Sequence, residues 1–263
     1  MRALRILHIA DIMGEPGRKA VAALLPGIVR EKGVAFVLGN GENAAGGFGL
    51  TKKVTNDLFA AGIDVITGGN HMWDRKEVLD FIDDEDRLLR PANYPDGVPG
   101  RGSGLYHGPD GYLLGVVNLL GRVFIKEVDC PFKSADRELN ELRTKTPIII
   151  VDVHAEATSE KMALGWYLDG RVSAVIGTHT HVQTADERIL PRGTAFISDA
   201  GMTGPFDSII GIQKERAMQR FLTQLPVRFE VARGDVSLNG VLVDIDPETG
   251  RALAIERVQL PFD

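Results

Sequence analysis

The chain has 263 residues, enough for one large α/β domain or two small ones, and at 44% hydrophobic it is too apolar for a disordered chain. Its formal net charge of −6 argues against a broad electrostatic grip on duplex DNA or RNA, which needs clustered Lys and Arg. No apolar run approaches the roughly 20 residues that cross a bilayer, and the single cysteine, Cys130, excludes an internal disulfide.

A reducing cytosol fits that cysteine usage. Met1 to Leu7 passes straight into strand-like sequence without a small-residue cleavage site, so no signal peptide is expected and the expected location is cytoplasmic. The charge leaves room for a small anionic substrate, because bound metal ions would invert the local field. It also leaves room for a homo-oligomer.

In chain order, Ile6 to Ala10 reads as a strand ending at Asp11. A helical pattern follows from Arg18 to about Lys32, with Val21, Leu24, Leu25, Ile28 and Val29 on one face, Pro26 inside it and Gly33 as a C-cap. Val34 to Leu38 is the second strand and leads into Gly39-Asn40-Gly41-Glu42-Asn43. Thr51 caps a helix running to Ala61. The third strand, Ile63 to Thr67, ends in Gly68-Gly69-Asn70-His71, and a helix is expected from about Asp74 to Asp83. This strand–helix alternation favours a layered α/β sheet.

Glycine and proline punctuate Arg90 to Asp110, which reads as an ordered excursion. Tyr112 to Leu120 is a strand, Ala135 to Arg143 a helix, and the run Pro147 to Val153 a central strand ending at His154. Thr158 to Leu168 reads as a helix, and Val172 to Ile176 as a strand ending in Gly177-Thr178-His179-Thr180-His181. A hairpin turns at Pro191-Arg192-Gly193. Asp199 to Gly211 looks like a substrate-edge loop, and Gln213 to Gln224 is helical. Val227 to Ala232, Val236 to Ile245 and Ala252 to Leu260 are strands. No repeat or linker divides the chain, so residues 1–263 are expected to form a single domain.

Metal-ligand chemistry recurs at the strand ends: Asp11, Glu42, Asn43, Asn70, His71, His154, His179 and His181. Carboxylate, imidazole and amide oxygen are what hard and borderline ions take, and the C-terminal edge of an open α/β sheet is where ligands bind. His179 and His181 flank one threonine, so both reach one site if the segment turns there. Each residue also has a plainer reading. Asp11 suits a helix N-cap, and Asn43 and Asn70 suit left-handed turn positions. His8 reads as a packed strand residue and His107 as a solvated turn. Asp83 to Asp86 reads as a solvated helix end, and Trp73 and Trp166 as packing residues. Asn118, Thr203 and Phe206 are candidate pocket residues by loop position.

Taken in order, Asp11, Gly39 to Asn43, Gly69-Asn70-His71, His154 and Gly177 to His181 resemble the motif series of calcineurin-like metallophosphoesterases. The chain departs from the broad family twice. The usual Asp-x-His is Asp11-Ile12-Met13, and the usual Gly-Asp is Gly41-Glu42-Asn43. Met13 is a poor ligand for a hard ion, and Asn43 is the nearest residue able to supply an oxygen instead. With Asp199-Ala200-Gly201-Met202-Thr203-Gly204-Pro205, these departures resemble the YmdB-like branch, which is associated with cyclic-nucleotide phosphodiester hydrolysis.

The resemblance implies a four-layer α/β/β/α metallophosphoesterase sandwich with mixed sheets. It implies two metal ions, iron or manganese first and zinc as an alternative. Asp11, Glu42, Asn43 and His181 would hold one, and Glu42, Asn70, His154 and His179 the other, with Glu42 bridging. A hydroxide between ions roughly 3.5–4 Å apart would attack phosphorus, and His71 would protonate the leaving oxygen. The implied substrates are small phosphodiesters, 2′,3′-cyclic nucleotides first. A phosphomonoesterase or RNA nuclease on the same metals, or a metal-stabilised regulatory protein that binds nucleotide or RNA with little turnover, are the alternatives.

Overall fold

The structure is a computed structural model and describes residues 3–108 and 111–262. Pro109 and Asp110, which close the stretch read as an excursion, lie outside the described residues, as do Met1, Arg2 and Asp263.

In chain order the strands are β1 (Leu4–Ile9), β2 (Asp11–Ile12), β3 (Phe36–Asn40), β4 (Val65–Thr67), β5 (Leu88–Leu89), β6 (Ser103–His107), β7 (Leu113–Leu120), β8 (Ile149–His154), β9 (Ala174–Thr178), β10 (Arg188–Ile189), β11 (Ala195–Ile197), β12 (Met202–Pro205), β13 (Val236–Ile245) and β14 (Ala252–Phe262). The helices are α1 (Gly14–Lys32), α2 (Lys52–Ala60), α3 (Pro131–Leu142), α4 (Thr158–Leu168) and α5 (Lys214–Thr223). The first sheet runs β2-β12-β13-β1-β3-β4-β5, with β14 on the other side of β13; the second runs β10-β11-β9-β8-β7-β6. Both are mixed. In the first, β1, β3 and β4 are parallel while β1 and β13 are antiparallel; in the second, β7, β8 and β9 are parallel while β6 and β7 are antiparallel.

Three apolar layers hold the sheets and helices together, because the central strands bury both faces. Leu7, Ile9 and Val37 meet Val21, Leu25 and Ile28 of α1 and Leu58 of α2. Leu4, Ile6, Phe36 and Leu38 meet Leu114, Val116, Ile148 and Ile150 between the sheets. Val117, Leu119, Ile149 and Val151 meet Leu139 of α3 and Leu164 of α4. Alternate residues of one strand therefore serve different cores: Ile6 and Leu7, or Val116 and Val117. Burying each such side chain contributes about 1.5–3 kcal/mol, and Leu25→Ala would cost about 2–5 kcal/mol. Gly17 permits the close approach of α1 to β12, since a Cβ there would stand 2.3 Å from the Thr203 carbonyl oxygen.

The helix caps follow the sequence. Gly33 adopts φ 65° and its N–H donates to the Val29 carbonyl, and Thr51 accepts from Val54 N. Four segments differ. The helix expected over Asp74 to Asp83 is two short 3-10 turns, Lys76–Asp80 and Ile82–Asp84. Asp80, Asp83 and Asp84 crowd what would be its last turn, where negative charge opposes the helix dipole. The excursion contains β6, which pairs with β7. The expected loop over Asp199 to Gly211 contains β12, which fills the position beside β13. Val227 to Ala232 consequently forms no ladder in that sheet; it bonds instead to the loop before α5, through Ala232 N to the Gly211 carbonyl and Gln213 N to the Glu230 carbonyl. Among the described residues, no helix is long and apolar enough to cross a membrane.

Candidate metal centre

The carboxyl ends of β1, β3 and β4 and those of β8 and β9 meet at one edge of the sandwich. β2 continues β1 there and carries Asp11; Glu42 and Asn43 follow β3, Asn70 and His71 follow β4, His154 ends β8, and His179 and His181 follow β9. Asp11, Glu42, Asn43, His154 and His181 are withdrawn from solvent, while Asn70, His71 and His179 are partly exposed. Asp11, Glu42 and His154 are 0–1% exposed.

The centre of the arrangement is Nε2 of His154. Glu42 Oε1, Asn70 Oδ1 and Nδ1 of His179 each lie 3.0 Å from it. A single imidazole proton cannot satisfy three acceptors at once, so this convergence suits a cation. Glu42, His154 and His179 bring ligand atoms within 4.8 Å of one another. Only glycine fits beside them at position 69, where a Cβ would stand 2.3 Å from Glu42 Oε2 and 2.4 Å from Cδ2 of His154.

A second set adjoins the first through Glu42. Asn43 Nδ2 lies 3.3 Å from Glu42 Oε1 and 3.2 Å from Nε2 of His181, which is 3.6 Å from Asp11 Oδ2. Asp11 Oδ2 accepts the His179 backbone N–H at 2.8 Å, while its fully buried Oδ1 has no hydrogen-bond partner. An orphaned carboxylate oxygen beside imidazole and amide groups again suits an ion. Met13 belongs elsewhere: it packs with Met202, Ile212 and Ala217.

The electrostatics agree with the geometry. Burial raises the carboxyl pKa of Asp11 well above its ordinary value. Burial works against charge on His154 too, but Glu42 and Asp11 beside it hold its pKa up to about 9. For Glu42, burial pushes upward, and the charge of His154 outweighs it and keeps the carboxylate ionised. Burial, then the charge of His154, lower His179 to about 3, and burial lowers His181. His179 and His181 are thus held neutral, the state in which imidazole ligates metals, while the positive charge of His154 balances Glu42 as a bound cation would.

The plainer readings of Asp11 and the asparagines do not describe this structure. The N-cap position of α1 is Met13. The left-handed backbone positions are taken by His179, at φ 104°, and His181, at φ 65°. Non-glycine residues pay strain there, and a buried ion pair holds the segment. Asp199 Oδ2 accepts from Thr180 N at 3.0 Å and Oγ1 at 2.7 Å, and Lys161 Nζ donates to it at 2.8 Å.

His71 is different in kind. Its Nδ1 lies 2.7 Å from Asp74 Oδ2, its ring packs edge-on to Phe48, and its backbone N–H donates to Glu42 Oε2 at 2.9 Å. The ring is part-exposed at the mouth of the centre.

Sequence reasoning overlooked several supporting residues. Asp152, inside β8 two residues before His154, accepts from Thr178 Oγ1 at 2.8 Å, and His8, Asn40 and Thr67 face its other oxygen. Glu156 Oε2 lies 3.0 Å from Nε2 of His179. A lone carboxylate inside Ile148-Ile149-Ile150-Val151-Asp152-Val153 was a usable signal; the contacts of Glu156, Lys161 and Asp74 left none. Of the candidate pocket residues, Phe206 lines a cavity with His181. Thr203 is buried against Asn239 and Asn118 is sealed within β7. Trp73 packs on Tyr94, while Trp166 is half exposed with Arg188 above it.

Comparison with known proteins places this geometry. The family described as YmdB-like protein matches residues 7–258. The chain is 54% identical over 260 residues to a 2′,3′-cyclic-nucleotide 2′-phosphodiesterase of Bacillus subtilis, covering 99% of this chain and 98% of that protein. It superimposes with a TM-score of 0.93 on the crystal structure of a hypothetical protein from Thermus thermophilus, at 44% identity, covering 99% and 100% of the two chains. The crystal structure of a novel phosphatase from Mycoplasma pneumoniae gives a TM-score of 0.92 at 33% identity, covering 99% and 94%.

Proposed function

The chain belongs to the YmdB-like family of calcineurin-like metallophosphoesterases, and on that premise we propose that it is a metal-dependent phosphodiesterase acting on small phosphodiesters, 2′,3′-cyclic nucleotides first. The observation that carries this reading is the convergence of Glu42, Asn70 and His179 on Nε2 of His154. The identity of the Bacillus subtilis relative supports the substrate class.

In this reading Glu42, Asn70, His154 and His179 hold one cation, and Asp11, Glu42, Asn43 and His181 hold the other. The donor set suits iron or manganese, and also zinc. Bound cations would supply positive charge that polarises the phosphoryl group and acidifies water for attack on phosphorus. The remaining work belongs to the protein. Glu42 sits between the two sets and shares its charge. Glu156 orients His179 by accepting from Nε2. Asp74 takes the Nδ1 side of His71, so Nε2 of that ring is the group that hands a proton to the departing alkoxide. Ring opening of a cyclic nucleotide leaves a nucleoside monophosphate.

The test is reconstitution. Protein stripped of metal and reloaded with manganese, iron or zinc is assayed on 2′,3′-cyclic nucleotides, mononucleotides, short RNA and a generic diester. Metal-dependent opening of the cyclic nucleotides, with two ions per chain by elemental analysis, is expected. Turnover confined to monoesters or RNA would move the substrate class, and silence with every metal would make the protein a binder.

A further inference from the structure

A cavity of about 440 Å³ lies where the turn between β13 and β14 meets the amino ends of β8 and β9, with Pro147, Val172 and Gly250 in its wall. His154 and His179 stand at the far ends of those two strands. The six residues of β8 span about 20 Å, so the cavity is remote from the metal centre.

Charge sets the chemistry of the cavity. Five cationic side chains line it, Arg143, Lys145, Arg171, Arg192 and Arg251, against one carboxylate, Glu248, among the described residues. Arg171 is already matched, its Nη2 donating to Asp136 Oδ1 at 2.6 Å. The other four are not: among the described residues none of them forms an ion pair, and neither does Glu248. Arg143 Nη1 donates to the Arg171 carbonyl at 3.0 Å. Arg192 and Arg251 lie against glycine backbone; a Cβ on Gly170 would stand 2.7 Å from Arg192 Cβ, and one on Gly193 would stand 2.6 Å from Arg251 Nε. The chain has 36 acidic residues to 30 basic ones, so carboxylates able to match these cations are in surplus, yet they lie elsewhere. Like charges gathered round one cavity repel one another, and an anion held among them replaces that repulsion with attraction.

We infer that this cavity is an anion site for a compact polyphosphate, either an inorganic triphosphate or the phosphate tail of a nucleotide. Guanidinium forks and an ammonium are the donors that hold phosphate oxygens. Four unmatched cations and one carboxylate leave three positive charges for the ligand to balance. A single phosphodiester brings one negative charge, and a nucleic-acid backbone spreads its charges along a strand. A triphosphate concentrates them in one place. Among the described residues no aromatic side chain lines the cavity, so no ring stacks on a base and the recognition is of phosphate.

The experiment is calorimetric titration of the metal-loaded protein with inorganic triphosphate, ATP, orthophosphate, adenosine and a short oligonucleotide. The same titration of Glu42→Gln, whose metal centre is impaired, separates binding here from binding at the metals. We expect triphosphate and ATP to bind alike, orthophosphate more weakly and adenosine not at all, with triphosphate binding retained in Glu42→Gln. Arg192 and Arg251 are exposed, so the fold tolerates their loss. Arg192→Ala and Arg251→Ala should each weaken triphosphate binding about 10–100-fold, the worth of one hydrogen bond to a charged group. ATP bound more tightly than triphosphate would support the site and name a nucleotide as the source, and equal binding would name the phosphate chain itself. Triphosphate binding that is lost in Glu42→Gln and untouched in both arginine variants would place the ligand at the metals and overturn the site, as would the failure of every phosphate to bind. An oligonucleotide bound more tightly than triphosphate would overturn it in favour of a nucleic-acid surface.

Discussion

Oγ1 of Thr178 stands 3.0 Å from Nδ1 of His154 and donates its own proton to Asp152 Oδ1 at 2.8 Å. A hydroxyl that is donating there accepts from His154, so Nδ1 carries a proton, and in the neutral ring that would ligate a metal Nε2 presents its lone pair to the cluster. The acceptor at the end of the chain is well prepared. Burial pushes the Asp152 pKa up, but the hydrogen bond from His8 and the contacts of Thr67 and His154 outweigh it and hold the carboxyl below its ordinary value.

Thr178→Val keeps the shape and removes that acceptor. Metal affinity should fall about 10–100-fold, the usual loss when the group orienting an imidazole ligand is removed. Thr178→Ser should restore most of it. Competition against a chelator reads both, and an unchanged affinity in Thr178→Val would show that the hydroxyl does not set the tautomer.

Glu42→Gln removes one negative charge shared between the two ligand sets at nearly constant volume. The fold should survive, while metal occupancy falls and hydrolysis collapses. Elemental analysis and turnover are read on the same preparation. Near-normal turnover would falsify the bridging role.

Asn43 and Met13 make a paired comparison. Asn43→Ala should weaken one metal site and leave the other filled, so that a titration resolves two affinities where the unaltered protein is tighter. Met13→Ala empties part of an apolar cluster and should lower stability by about 2–5 kcal/mol, read as a shift of the denaturation midpoint, with metal content retained. Two unchanged sites in Asn43→Ala would remove that amide from the ligand set.

His71→Ala should keep both metals and lose rate selectively. A diester with a poor alkoxide leaving group should slow by ~10²–10⁴-fold, the span of general acid catalysis. A nitrophenyl diester, whose leaving group needs little protonation, should slow less. Equal losses on the two would assign His71 to phosphoryl charge or substrate positioning, and loss of a metal would make it a ligand.

The parts legible in the sequence share a property: each polar residue stands alone at the end of an apolar run. Glu42, Asn70, His154 and the His179–His181 pair could be found because β3, β4, β8 and β9 announce themselves and then stop. The residues that steady them could not. Asp152 meets His8 across 144 positions, and Lys161 meets Asp199 from the inner face of α4. Nothing local marks such pairs, because one comes from the apposition of two sheets and the other from the packing of α4 on the second sheet. Over Asp74 to Asp83 an acidic run suits the solvated end of a helix as well as the break of one, and the structure has the break.

The ligand cluster draws on both halves of the sandwich. Asp11, Glu42, Asn43 and Asn70 come from the first sheet, and His154, His179 and His181 from the second. Whatever ion sits among them rivets the two sheets together at that edge. Binding to the folded chain alone adds about 2.7 kcal/mol of stability at a free concentration one hundred times the dissociation constant. Metal supply thus acts on how long the molecule lasts as well as on how fast it works: a starved cell would hold a protein both idle and more easily opened to proteases.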